Sequence, residues 1–181
     1  MSRIGLLQKP WPEAFEATIA KIVAPGTEPL ALFTSVGQSQ KALERFLGGA
    51  VAGKGALDLH TREVVIERTA AKCDCEYEWG IHTKVLAPKA GISEAQVRST
   101  FDGHADDGHW EAADAAVIAS VDALLANKKL TDAEFARLAA HFDTAQILEI
   151  VQLISFYHGV ALLTGAIALA SEPGMNKFPT A

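Results

Sequence analysis

Two cysteines in 181 residues are too few to staple a secreted domain. Basic residues are also short: 16 Lys and Arg stand against 22 Asp and Glu, for a net charge of -6. No cationic surplus is left to neutralise nucleic-acid phosphates or an acidic membrane surface, so neither is expected as a partner. Strand signals are nearly missing. Asp102-Gly103 and Asp107-Gly108 flank a His-bearing loop instead of joining two alternating runs. No low-complexity tract or internal repeat occurs. The opening stretch has one short apolar run, Ile4 to Leu7, before Gln8, Lys9 and Pro10. That is shorter than the roughly 7–15 apolar residues an export signal needs. The chain is therefore expected to be cytoplasmic and to act on a small molecule. With 49% hydrophobic and 21% charged residues, it can bury a sizeable core.

What is present reads as all-α. An amphipathic stretch, Glu13 to Val23, follows Pro10 and Pro12 and stops at Pro25 and Gly26. Ser39 to Leu47 is a second helix, ended by Gly48 and Gly49, and a turn-rich linker follows at 53–57. Thr61 is the expected N-cap of a third helix. A break near Lys72 to Asp74 precedes a helix from Cys75 to Ala87. Ser93 with Gln96, and Thr131 with Glu134, form capping boxes for two short helices. Between them runs an alanine-rich helix, Trp110 to Ala126, and a last long helix covers Thr144 to Ala170. The organisation expected is a helical extension over 1–38, a core over 39–126 and C-terminal helices over 127–181.

The last helix carries no Asp, Glu, Lys or Arg between Ile150 and Ala170, long enough to meet the roughly 18-residue threshold of a membrane span. Gln152, Ser155, His158 and Thr164 interrupt it, and no basic cluster flanks it. The expectation is a helix buried on all faces, within the domain or at a contact between subunits of a homo-oligomer.

Chemistry concentrates between Arg62 and His82. With a helix starting near Cys75, residues Cys75, Glu78 and His82 share one face, with Trp79 beside them. Glu78 stands four residues before His82, within hydrogen-bond reach along a helix, and a carboxylate there raises imidazole basicity. A helix N-terminus at Cys75 favours its thiolate. Glu63 and Glu67 repel at i, i+4 unless one shares a proton or a base intervenes. Spacing favours Glu63 as the one facing the site. Each residue alone has an ordinary structural explanation; their concentration is what singles them out.

These residues resemble the carboxymuconolactone decarboxylase family, which includes the alkylhydroperoxidase D group. The resemblance rests on Leu57-Asp-Leu-His-Thr-Arg-Glu63, on Cys75-Glu-Tyr-Glu-Trp-x-x-His82 and on Ala87-x-x-Ala-Gly-Ile-Ser93. Gln146 to Tyr157 is similar to the terminal helix of longer members. The resemblance implies an alkylhydroperoxidase D-like helical bundle, a helical-hairpin active site and a homo-oligomer, trimer or hexamer. It implies catalytic roles for Glu63, Cys75, Glu78 and His82, and no cofactor. The peroxidase branch has Cys where this chain has Glu78, so the redox pair is broken, whereas the decarboxylase branch has Glu-x-x-x-His there.

Two activities follow. The first is acid–base catalysis on a lactone or keto acid, with Glu78 and His82 passing the proton, Glu63 setting their charge, Tyr77 and Trp79 as apolar walls, and Arg62 or Arg68 binding the substrate carboxylate. The second is a thiol peroxidase acting through Cys75, with Cys73 or an outside thiol resolving it. A metal held by Cys73, Cys75 and His82 lacks a usual ligand spacing, and a vestigial site is the remaining alternative. Tyr157 and His158 are weaker candidates, and the Asp102–His109 loop reads as a solvated connection.

Overall fold

The structure is a computed structural model and describes residues 2–49 and 55–180. Among the described residues the chain is helical and has no strand. In chain order the helices are α1 (Glu13–Ile19), α2 (Ala31–Val36), α3 (Gln40–Gly49), α4 (Leu59–Lys72) and α5 (Glu76–Ile81). A π-helical segment, His82–Leu86, runs into α6 (Ala87–Ala90). Then come α7 (Glu94–Asp102), α8 (Ala112–Asn127), α9 (Asp132–Ala139) and α10 (Thr144–Ile167). Helix α2 was not anticipated, and part of the linker expected at 53–57 lies outside the described residues.

Helix α4 is the axis of the fold. Val64, Val65 and Ile66 are consecutive and all fully buried, so neighbours cover the helix on every side. Those neighbours are α5, the π-helical segment, α6, α7, α8 and α10. The helix starts earlier than expected. Asp58, not Thr61, is the N-cap, and its Oδ1 accepts from the Thr61 amide at 2.8 Å. Full burial also takes in three ionisable residues, Glu63, Glu67 and Arg68. Arg68 is paired to Asp122 at 2.8 and 2.6 Å and donates to the carbonyls of Ser99 and Thr100.

The expected break is a sharp turn in which Asp74 takes a positive φ of 54°, a conformation Asp tolerates better than most residues. It folds α5 back against α4 and so builds a helical hairpin. The helix expected over Cys75 to Ala87 is not uniform: the π segment interrupts it, beginning at His82. Such insertions concentrate at functional sites.

Both expected capping boxes are formed, and a third, Asp143 with Gln146, opens α10. Helix α10 is not buried on all faces in the single chain. Ile150 and Leu153 are fully buried, while Leu148 and Leu162 are 59% and 64% exposed on the opposite side. It is the one helix among the described residues long and apolar enough to cross a membrane, and its inner face packs on α4, α5 and α9.

The C-terminal segment lies across α5. The Asn176 amide donates to the Gly80 carbonyl, Phe178 packs on Trp79 and Phe101, and Glu76 accepts from Lys177 and the Phe178 amide. The crossing is close enough that a Cβ on Gly80 would sit 2.3 Å from the Asn176 carbonyl oxygen.

Candidate active site

The α4–α5 hairpin brings Glu63, Glu78 and His82 together. His82 Nδ1 donates to Glu63 Oε2 at 2.6 Å, a short charge-assisted bond between buried groups. On the other side of the ring, Nε2 lies 3.5 Å from Glu78 Oε2 and 3.3 Å from the Tyr157 hydroxyl. Glu63 therefore fixes the ring, and Nε2 is the nitrogen left to face a reactant.

Burial gradually increases inward. Glu78, His82 and Tyr157 keep 6%, 7% and 8% of their surface, while Glu63 keeps 1% and Glu67 none. The groups around Nε2 are therefore slightly less buried than the carboxylates on the Nδ1 side. Burial opposes the charge on His82, but the bonds and fields of Glu63 and Glu78 outweigh it and raise its pKa to about 9. The imidazole is then doubly protonated at neutral pH, and Nε2 carries a proton it can give. Burial, with the field of Glu78, pushes the Tyr157 phenol above its ordinary range.

Arg62 lies at the rim. Its Nε is 3.8 Å from Glu63 Oε1, it hydrogen-bonds Tyr157, and its side chain is 22% exposed. Arg68, the other cation weighed for a substrate carboxylate, is sealed against Asp122 and cannot serve.

Three expectations change. Cys75 is the residue before α5, yet its thiol is not acidified. Burial pushes its pKa up, the Thr164 hydroxyl only partly offsets that, and Sγ lies 3.4 Å from Thr164 Oγ1. Thr164 is seven residues beyond Tyr157 on α10, roughly 10 Å along the helix, so Cys75 and His82 meet different turns of it. Tyr77 turns away from the imidazole: its hydroxyl donates to Glu172 and accepts from the Leu32 amide. Trp79 also turns away, bonding Thr100 Oγ1 and packing on Phe101 and Phe178. Neither is a wall of the site.

Both cysteines are free thiols. Among the described residues, no three His, Cys, Asp or Glu side chains converge as a metal shell. The Asp102–His109 loop is held by Asp107, which accepts from Ser99 and from the amides of His104 and His109. Tyr157 is the site residue the sequence signalled least, since 75 positions separate it from His82.

Residues 37–122 match the carboxymuconolactone decarboxylase family. No curated protein matches the sequence. Among solved structures, an uncharacterized peroxidase-related protein from Ralstonia eutropha JMP134, described as an alkylhydroperoxidase AhpD core, superposes with a TM-score of 0.82. It is 15% identical, over 95% of this chain and 93% of that one. A peroxidase-related protein from Silicibacter sp. TM1040 gives 0.78 at 16% identity, over 98% and 96%. The debrominase Bmp8, as a Cys-to-Ala variant in complex with 2,3,4-tribromopyrrole, gives 0.73 at 17%, over 96% and 93%. At these identities the likeness is one of fold.

Proposed function

From a chain that belongs to the carboxymuconolactone decarboxylase family through residues 37–122, we propose an enzyme that uses His82 as general acid and base on a small organic acid of the lactone or keto type. The observation that carries this is the 2.6 Å bond from His82 Nδ1 to Glu63, which leaves a protonated Nε2 between Glu78 and Tyr157.

In a decarboxylation, the bond between the carboxylate carbon and its neighbour breaks, carbon dioxide leaves, and the electron pair stays on the substrate as an enolate-type carbanion. His82 Nε2 gives its proton to that carbon. Arg62 holds a substrate carboxylate or the developing oxyanion at the rim, and the nearly closed site strengthens both interactions by excluding water. Glu78 and the Tyr157 hydroxyl orient the Nε2 proton before transfer. Solvent returns the lost proton.

Thiol peroxidase chemistry at Cys75 has less support. The thiol is buried, bonded to Thr164 and pushed to a higher pKa, and position 78 holds a carboxylate where a resolving thiol would be needed. The outward apolar face of α10 supports a homo-oligomer, with Leu148 and Leu162 at a contact between copies.

The test is carbon dioxide release from a panel of lactone acids and keto acids, with a brominated pyrrole and an organic hydroperoxide included, for wild type, His82→Gln and Cys75→Ser. Release from an acid that His82→Gln abolishes and Cys75→Ser retains supports the proposal. Turnover confined to the hydroperoxide and lost in Cys75→Ser overturns it.

A further inference from the structure

The arm of the hairpin that carries Glu78 and His82 is held from its other side by the last stretch of the chain, residues 171–178. Glu76 accepts from the Ser171 hydroxyl at 3.3 Å, from Lys177 Nζ at 2.8 Å and from the Phe178 amide at 3.1 Å. The Tyr77 hydroxyl donates to Glu172 at 2.6 Å. Trp79 packs on Phe178 with ring centroids 5.4 Å apart. Asn176 bonds two residues of the arm. Its amide donates to the Gly80 carbonyl at 3.3 Å, and its Nδ2 donates to Thr83 Oγ1 at 3.1 Å. Glu78 and His82 turn the opposite way, His82 onto Glu63 and Glu78 onto His82 Nε2.

One continuous length of chain serves both sides of the arm. Helix α10 presents Tyr157 to His82 Nε2. It ends at Ala168, which takes a positive φ of 50°, and the chain then turns back across α5.

His82 sits where support from outside the helix counts most. A regular helix fixes its side chains through its own i→i−4 bonds. At His82 that ladder widens, because the Ala87 amide reaches the His82 carbonyl five residues back. Such an insertion shifts the ladder and leaves backbone acceptors to be matched from elsewhere. Here the Thr83 hydroxyl donates to the Trp79 carbonyl at 2.7 Å, and the Asn176 amide serves Gly80. Asn176 therefore grips residues 80 and 83, on either side of His82 in sequence. The grip has no slack, since a Cβ on Gly80 would lie 2.3 Å from the Asn176 carbonyl oxygen. By contrast, the Lys177–Glu76 pair is exposed and of a kind that contributes little.

We propose that Asn176 is a positioning residue of this site: by holding Gly80 and Thr83 it sets the place of the His82 ring relative to Glu63 and Glu78. It acts through the helix and not on the reactant. This role rests on the acid–base reading of His82, but it is read out in the resting protein. Asn176 carries no charge. The charged and titratable groups around His82 are Glu63 and, one turn on, Glu67 from α4, Glu78 from α5 and Tyr157 from α10, with Arg62 beside Glu63 and Tyr157. Asn176→Ala removes none of them. A change in the His82 titration in that variant reports a displaced ring and not a lost charge.

The test is the 15N titration of His82 in full-length wild type, Asn176→Ala, Thr83→Val, the double variant and Lys177→Ala, with urea midpoints measured alongside. Asn176→Ala should move the His82 midpoint from near 9 toward 6.5. Thr83→Val should move it the same way, and the double variant should move it no further than Thr83→Val alone, because both substitutions remove the same bond. Lys177→Ala should leave it in place. If Asn176→Ala lowers the urea midpoint and leaves the His82 titration unchanged, the residue is merely structural and the proposal is overturned. An equal shift in Lys177→Ala also overturns it, because the effect then belongs to the whole segment. Should Asn176→Ala fail to fold, an unchanged titration in Thr83→Val overturns it. Variants are compared with wild type directly, so the result stands whether or not an acid in the panel is turned over, and failure of the acid–base reading is seen separately.

Discussion

His82 and Glu63 are 19 residues apart in sequence and 2.6 Å apart in space. The bond closes the α4–α5 hairpin at the point where the second arm becomes π-helical. It fixes the ring, directs Nε2 toward Glu78 and Tyr157 and stabilises the imidazolium in a buried place. Replacing Glu63 by Gln should lower the His82 titration toward its ordinary value of 6.5. His82→Gln should reduce kcat by about 10²–10⁴-fold. Circular dichroism checks that the helices persist, and steady-state kinetics on the acid found in the panel reads the loss.

Stability should fall as pH rises. Glu67 is raised from 4.5 to about 8 by burial and by Glu63, so the folded protein keeps a proton that the unfolded chain has lost over that window. His82 is raised from 6.5 to about 9, with the same sign over its own window. Both contributions are complete below the unfolded values and are lost as pH climbs through the folded ones. Urea midpoints should drop between about pH 4.5 and pH 9, and Glu67→Gln should remove the lower part of that drop.

The two thiols should differ in reactivity. Cys75 is buried against Thr164, whereas Cys73 is half-buried and lines a cavity with Lys72, Lys128 and His158. Iodoacetamide on the native protein should modify Cys73 first, and both should react in urea. Mass spectrometry of the peptides reads the order.

Gly80 is where the C-terminal segment crosses α5. A methyl group would meet the Asn176 carbonyl at 2.3 Å, so Gly80→Ala should destabilise the fold by about 1–3 kcal/mol through overpacking despite the better helix propensity of Ala. Denaturant unfolding tests this.

Leu162, 64% exposed on the outer face of α10, tests the assembly. Leu162→Glu should reduce the mass in light scattering from that of an oligomer to that of a smaller species. An unchanged mass places the contact elsewhere.

The sequence reveals what is decided locally. The boxes at Ser93 and Thr131 need only four residues each, and the break at Asp74 follows from the loss of pattern there. The Glu78–His82 pair follows from helical spacing. What depended on tertiary context was harder to read. Residues 77 and 79 turn about 100° to either side of Glu78 on the same helix, so Tyr77 meets α2 and Trp79 meets α7 instead of the imidazole. The expected acidity of Cys75 weighed the helix terminus and missed its burial. Tyr157 joins the site from α10, and no spacing rule links residues that far apart. The burial of Glu67 required knowing that α4 is covered on all sides.

The most direct test of the account is the 15N spectrum of His82 across the pH range, with the signal assigned by His82→Gln. Both ring nitrogens should be protonated at neutral pH, with the proton lost near pH 9. A neutral His82 at neutral pH, with one unprotonated nitrogen, would contradict it, because the proton assigned to the reaction would not be there to give.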